Sequence, residues 1–129
     1  VNGLDDIFVV SLNGAAGTTV YSTSVSYTLV EPEQNLVLIG PDAYDGYGNA
    51  LDNTLSGNAN NNLLGGGEVN DTLVGGAGDD FLIAGYGTGN DTFIFSQGDG
   101  NDFLYTYDGL KTFEFTNINS GLWMIPLIE

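Results

Sequence analysis

The stretch GNALDNTLSGNANNNLLGGGEVNDTLVGGAGDDFLIAGYGTGNDTFIFSQGDGNDFLY, residues 48–105, decides the fold. It divides into GNALDNTLS (48–56), GNANNNLLG (57–65), GGEVNDTLV (66–74), GGAGDDFLI (75–83), YGTGNDTFI (86–94) and QGDGNDFLY (97–105). The sixth position holds Asn53, Asn62, Asp71, Asp80, Asp91 and Asp102, and the eighth is always apolar: Leu55, Leu64, Leu73, Leu82, Phe93 and Leu104. The first four copies run head to tail; Ala84-Gly85 and Phe95-Ser96 are two-residue insertions before the fifth and sixth. Each copy is a Gly/Asx turn followed by a very short strand. Such a strand buries nothing alone, so copies must stack. Two half-turns per coil give ~18 residues, with strands ~4.8 Å apart and the eighth-position side chains filling a narrow interior. The expected fold is all-β: a right-handed parallel β-roll or β-solenoid.

Working outward, residues 18–29 (TTVYSTSVSYTL) are β-branched and aromatic and read as strands, and Leu36–Ile39 reads as a short buried strand ending at Gly40-Pro41. Residues 112–116 (TFEFT) alternate, and 122–128 (LWMIPLI), with Trp123, form an apolar end suited to capping a solenoid or anchoring an interface. This divides the chain into a β-rich flank or linker continuing the solenoid (1–47), the repeat block (48–105) and a capping segment (106–129). Val1-Asn2-Gly3 opens without Met, a basic stretch or an apolar core, as expected of a processed product or a segment of something longer.

Composition restricts the chemistry. The 129 residues carry 17 Asp+Glu against one Lys+Arg, a net charge of −16, with no His and no Cys. That balance argues against nucleic acid and against an anionic membrane surface, since both need basic side chains. No apolar run reaches the ~18 residues of a membrane span. Zinc sites, His-based triads and thiolate chemistry are absent for want of ligands. No HExxH or GxSxG motif occurs, so an enzyme is not expected, although a carboxylate pair acting on glycosides stays open.

The repeat resembles the nonapeptide GGxGxDxUx of RTX (hemolysin-type calcium-binding) proteins, and GGAGDDFLI (75–83) matches every fixed position. Residues 25–58 resemble the linkers that join repeat blocks in large secreted bacterial RTX proteins. Asp5-Asp6-Ile7-Phe8-Val9 resembles the tail of one more repeat, with Asp6 and Phe8 in the key places. The resemblance implies export through a type I secretion channel and folding outside the cell or on its surface.

Sixth-position residues on alternate copies fall on one side of the solenoid: Asn53, Asp71 and Asp91 on one, Asn62, Asp80 and Asp102 on the other. Carboxylates stacked at ~4–5 Å repel by on the order of 4 kcal/mol at an effective dielectric of 20, so a bare stack should not hold. Calcium, which takes 6–8 oxygens, reverses the sign with Asp side chains and turn carbonyls alone. Ca2+ is therefore the expected cofactor. The best sites are expected to pair Asp71 with Asp91 and Asp80 with Asp102, and a weaker one Asn62 with Asp80. The glycines of these turns, Gly75, Gly76, Gly78, Gly89 and Gly100, let the backbone approach closely; the fourth position, Leu51, Asn60 and Val69 in the first three copies, is expected to need φ > 0, which Leu51 and Val69 would resist. Asp42, Asp45, Asp52, Asp79 and Asp99 read as solvated charges.

Three functions follow. The first is a calcium-dependent structural module of a secreted or cell-surface protein, its partners being calcium ions and the remainder of a longer RTX protein. The second is a self-assembling subunit of a filament, sheath or surface layer, stacking end to end on itself. The third is sugar binding through Tyr44, Tyr47, Tyr105 and Tyr107, for which edge packing is the plainer reading. Thr88-Gly89-Asn90-Asp91 is a single step of an ice-binding row, and one step is not a row.

Overall fold

The repeating turn-and-strand unit can bury its apolar residue only against copies a full coil away, and a computed structural model of the chain has this arrangement. It describes residues 7–11 (as backbone), 17–23, 25–86, 88–106 and 109–116. Twelve strands are formed, with no helix among the described residues: β1 Ile7–Ser11, β2 Thr18–Ser22, β3 Tyr27–Thr28, β4 Glu33–Leu38, β5 Gly46–Tyr47, β6 Thr54–Ser56, β7 Leu63–Gly65, β8 Thr72–Val74, β9 Phe81–Ile83, β10 Asp91–Ser96, β11 Phe103–Tyr105 and β12 Lys111–Thr116. They alternate between two sheets, one ordered β1-β2-β4-β6-β8-β10-β12 and the other β11-β9-β7-β5-β3. All pairs from β2 onward are parallel. The chain is a parallel β-solenoid, and the coils continue on both sides of 48–105 through β2–β5 and β12.

Register makes the interior. In the first sheet Val20, Leu36, Leu55, Leu73 and Phe93 lie directly above one another, with Phe113 next. In the second, Gly46, Leu64, Leu82 and Leu104 do the same. Leu55, Leu64, Leu73, Leu82 and Phe93 have no exposed surface, as the eighth position requires. Gly46 breaks the second row because Leu36 and Leu64 already fill its space: a Cβ there would meet their methyls at 2.7 and 3.2 Å. Phe93 stands where its neighbours have Leu, in the part of the solenoid where the insertions have lengthened the coil, and stacks on Phe113 at 5.6 Å between ring centroids.

One expectation is overturned. The described part of residues 5–9, from Ile7 on, does not lead into a further parallel coil: β1 pairs with β2 antiparallel, Ile7 opposite Ser22 and Ser11 opposite Thr18, while Asp5 and Asp6 lie outside the described residues. The segment between the two strands, residues 12–17, is hairpin-sized, whereas a parallel return needs a crossover about twice as long. The expected cap at 122–128, Trp123 included, lies outside the described residues.

Leu73→Ala is expected to cost about 2–5 kcal/mol of stability, read as a lower urea midpoint with calcium saturating. A loss below 1 kcal/mol would mean the interior is not packed as described.

Candidate metal centre

A stack of coils satisfies its strands through the sheet ladders, but its turns need other fastenings. Here the sixth-position carboxylate supplies one. Asp71 Oδ1 accepts the Asn53 backbone N–H at 2.9 Å, Asp80 Oδ1 that of Asn62 at 2.7 Å, Asp91 Oδ1 that of Asp71 at 3.0 Å and Asp102 Oδ1 that of Asp80 at 2.9 Å. The chain separations of these bonds are 18, 18, 20 and 22 residues, so the insertions widen successive coils without breaking the ladder. The two sides carry the residues expected from the sequence: Asn53, Asp71 and Asp91 on one, Asn62, Asp80 and Asp102 on the other.

The remaining head atom is handled differently along the stack. In the first two copies the amide closes the turn on itself. Asn53 Oδ1 accepts the Asn49 N–H at 2.7 Å, and its Nδ2 donates to Asn49 Oδ1 and to the Gln34 carbonyl of the preceding coil. Asn62 repeats this with Asn58 and the Tyr44 carbonyl. In the third and fourth copies the second position is Gly67 or Gly76 and no such amide exists. Asp71 Oδ2 and Asp80 Oδ2 are then fully buried without a hydrogen-bond partner. A buried unpaired carboxylate oxygen is costly enough that it demands a proton or a cation.

The space beside each orphan oxygen is kept open by glycine. A Cβ on Gly66 would lie 2.5 Å from Asp71 Oδ2 and 2.6 Å from the Ala84 carbonyl oxygen. One on Gly75 would collide with Asp80 Oδ2. At Asp71 a carboxylate oxygen and a carbonyl oxygen of the next coil thus converge where a side chain on Gly66 would lie; Gly48 and Gly57 are packed in the same way against Asn53 and Asn62. Among the described residues no three His, Cys, Asp or Glu side chains converge on one point, so an ion in these turns would take much of its coordination from backbone carbonyls. Hard oxygen donors of this kind fit calcium.

Burial acts on the same groups. It pushes the Asp71 carboxyl up to about 7, against the lowering effect of the Asn53 N–H, with the Asp91 charge adding to the rise. Asp80 is raised to about 6 by burial and by the Asp102 charge, again opposed by its N–H bond. Asp102 is raised as well, mainly by burial. The carboxylates of the stack therefore avoid mutual repulsion in two ways: each Oδ1 holds an N–H, and the least solvated ones are poised to keep a proton.

Two overlapping segments, residues 47–82 and 65–99, match the family model of the RTX calcium-binding nonapeptide repeat, in four copies. Residues 47–99 are an RTX repeat block. Neither a curated protein nor a solved structure matches the chain significantly. The RTX match makes the block a calcium-binding repeat module, a structural and generally non-enzymatic fold.

Within the RTX turns the fourth position does not behave uniformly. Positive φ occurs at Val69 (58°), Gly78 and Gly100 (101° each), but not at Leu51, Asn60 or Gly89. The first two are freed by Asx turns, the Leu51 N–H donating to Asn49 Oδ1 and the Asn60 N–H to Asn58 Oδ1. Gly89 is required for closeness instead: a Cβ there would run into the Val69 carbonyl. Positive φ recurs at the second position, Gly67, Gly76 and Gly98.

A second ladder went unread in the sequence. At the fifth position the side chain accepts the N–H of the next coil, the reverse direction: Asp52 from Asn70, Asn70 from Asn90, Asn90 from Leu110, Asn61 from Asp79 and Asp79 from Asn101. Asp52 and Asp79 are thus structural acceptors as well as surface charges. Asp99 likewise closes its own turn on the Ser96 N–H. The signal was present as an Asx at all six fifth positions, but identical turn residues hid which of them reach across. Of the tyrosines, Tyr47 and Tyr105 line a groove of about 490 Å3 with Phe81, Ile83 and Tyr86 on the outer face of the second sheet. Tyr44 instead packs partly against the core and donates to Asp42, and Tyr107 lies outside the described residues.

The pH dependence has a definite sign. Without metal, folded Asp71 and Asp80 hold protons that the unfolded chain, with carboxyls near 3.8, releases. Stability from these groups is fully present below that value and is lost as pH rises through about 6 to 7. In chelator, the strand content read by circular dichroism is expected to fall from pH 5 to pH 8, and Asp71→Asn to flatten the fall. An unchanged slope in that variant would show that Asp71 does not carry it.

Proposed function

We propose that the block is a calcium-dependent folding module of a secreted or cell-surface protein, with Asp71 and Asp80 as its principal ligands. The single observation that supports this most is the pair of buried, unpartnered oxygens, Asp71 Oδ2 and Asp80 Oδ2. Each lies against a glycine, Gly66 or Gly75, and the Ala84 carbonyl is a second donor beside Asp71. Asp102, whose charge acts on Asp80, is a third carboxylate of the set, and the turns around Gly75, Gly76, Gly78 and Gly100 bring the backbone close. Asn62 is already engaged through both head atoms, so a ligand role there would require its Asn58 pair to open. When bound, calcium supplies the positive charge that this acidic chain lacks.

The physics of export fits the reading. With a net charge of −16 and 20 Gly in 129 residues, the chain favours disorder where calcium is scarce. At the millimolar calcium outside cells, sites of ~10⁻⁴–10⁻³ M affinity fill, and binding free energy becomes folding free energy. In this reading residues 1–47 are the flank, 48–105 the calcium block and 106–129 the cap. Self-assembly into a filament or surface layer is the second reading, supported by β12, which stands last in its sheet among the described residues.

Circular dichroism is expected to show strand content gained on adding calcium and lost in chelator. Asp71→Asn and Asp80→Asn are each expected to remove one bound ion by calorimetry. A chain equally folded with and without calcium would refute the switch. The second reading requires light scattering to rise with calcium; a monodisperse monomer would exclude it.

A further inference from the structure

The Asp91 turn solves the problem of the second carboxylate oxygen in a third way. Asp91 lies in the same ladder as Asp71, and its Oδ1 is likewise used by an N–H of the preceding coil. Its Oδ2, the counterpart of the orphan oxygen of Asp71, is held by Lys111 Nζ at 2.7 Å. The same ammonium donates to the Gly89 carbonyl at 3.2 Å. One carboxylate oxygen and one turn carbonyl are the two donor types that converge in the Asp71 cradle.

Register explains how the lysine arrives there. Lys111 pairs with Asp91, Thr112 with Thr92 and Phe113 with Phe93. Gly109-Leu110-Lys111-Thr112-Phe113 is thus a seventh copy of Gly89-Asn90-Asp91-Thr92-Phe93, with Lys where the ladder has Asp. Gly109 has positive φ (93°), as Gly78 and Gly100 do at the fourth position, and the Leu110 N–H keeps the fifth-position bond to Asn90. The substitution escapes a search for Asx at the sixth place because it reverses the charge. It also uses the single basic side chain among 129 residues. Both partners are largely buried, 10% and 4% exposed at the side chain, where a paired and further hydrogen-bonded charge is tolerated and a lone one is not.

We propose that the Lys111 ammonium is the resident cation of the Asp91 turn, so that this turn takes no calcium. The expected partnership of Asp71 with Asp91 around a shared ion gives way to an ion at Asp71 and an ammonium at Asp91. The metal ladder on this side then ends one coil before β12, on a cation that is part of the chain. This rests on the calcium reading above only for its count of ions; the identity of the lysine's partner stands apart from it.

Two measurements test it. By calorimetry, Lys111→Met is expected to bind one calcium ion more than the unsubstituted chain, and Lys111→Arg the same number. By mass spectrometry after brief acetylation in calcium, the Lys111 amine is expected to react at least tenfold more slowly in the unsubstituted chain than in Asp91→Asn. No gain of an ion in Lys111→Met, or equal reactivity of the amine in the two chains, would overturn the proposal. No ion bound by any variant would sink the calcium reading, and the amine comparison would still decide whether Lys111 is held by Asp91. The amine comparison also stands if Lys111→Met fails to fold.

Discussion

Everything in this solenoid depends on a carboxylate that must serve two masters. One oxygen of the sixth-position side chain fastens its coil to the backbone of the preceding one, and the other is left in a space that water does not reach. The first bond sets the pitch of the stack and aligns the leucines of the interior. The second oxygen creates an electrostatic debt at the same spot. Because fastening and debt belong to one side chain, the fold cannot have the first without settling the second.

The stack settles it with three chemistries in sequence. Asn53 and Asn62 replace the oxygen by an amide that closes onto a neighbouring asparagine. Asp71 and Asp80 leave it open beside glycine, where a proton or calcium can enter. Asp91 receives an ammonium. Along the chain, the unpartnered oxygens of Asp71 and Asp80 thus lie between the amide-closed turns of Asn53 and Asn62 and the lysine-held turn of Asp91.

The repeat was legible because its two periodic features, an Asx and an apolar residue two places later, are each tied to a physical requirement that recurs at every coil. That fixed the solenoid, its two sides and its buried row. Residues 18–47 were legible as strands continuing the solenoid but not in their register, since Val20, Leu36 and Gly46 fill the interior without the glycine-rich turns that advertise it. Lys111 was illegible for the opposite reason: its neighbours keep the pattern, but the decisive residue has the opposite charge. The split between Asn and Asp turns was half visible. Loss of charge could be read, whereas the reciprocal bond to Asn49 or Asn58 depends on a turn geometry that only the folded backbone reveals.

The antiparallel strand β1 gives the stack a polarity. Coils add to a parallel solenoid only where an unpaired strand edge runs in the right direction, and on the amino-terminal side the edge of β2 is occupied along its whole length by a strand running the other way. A further coil could dock there only after displacing β1, while a short β3 alone offers too little edge to hold it. On that side a parallel coil therefore meets a stopper, a strand whose direction its own cannot continue.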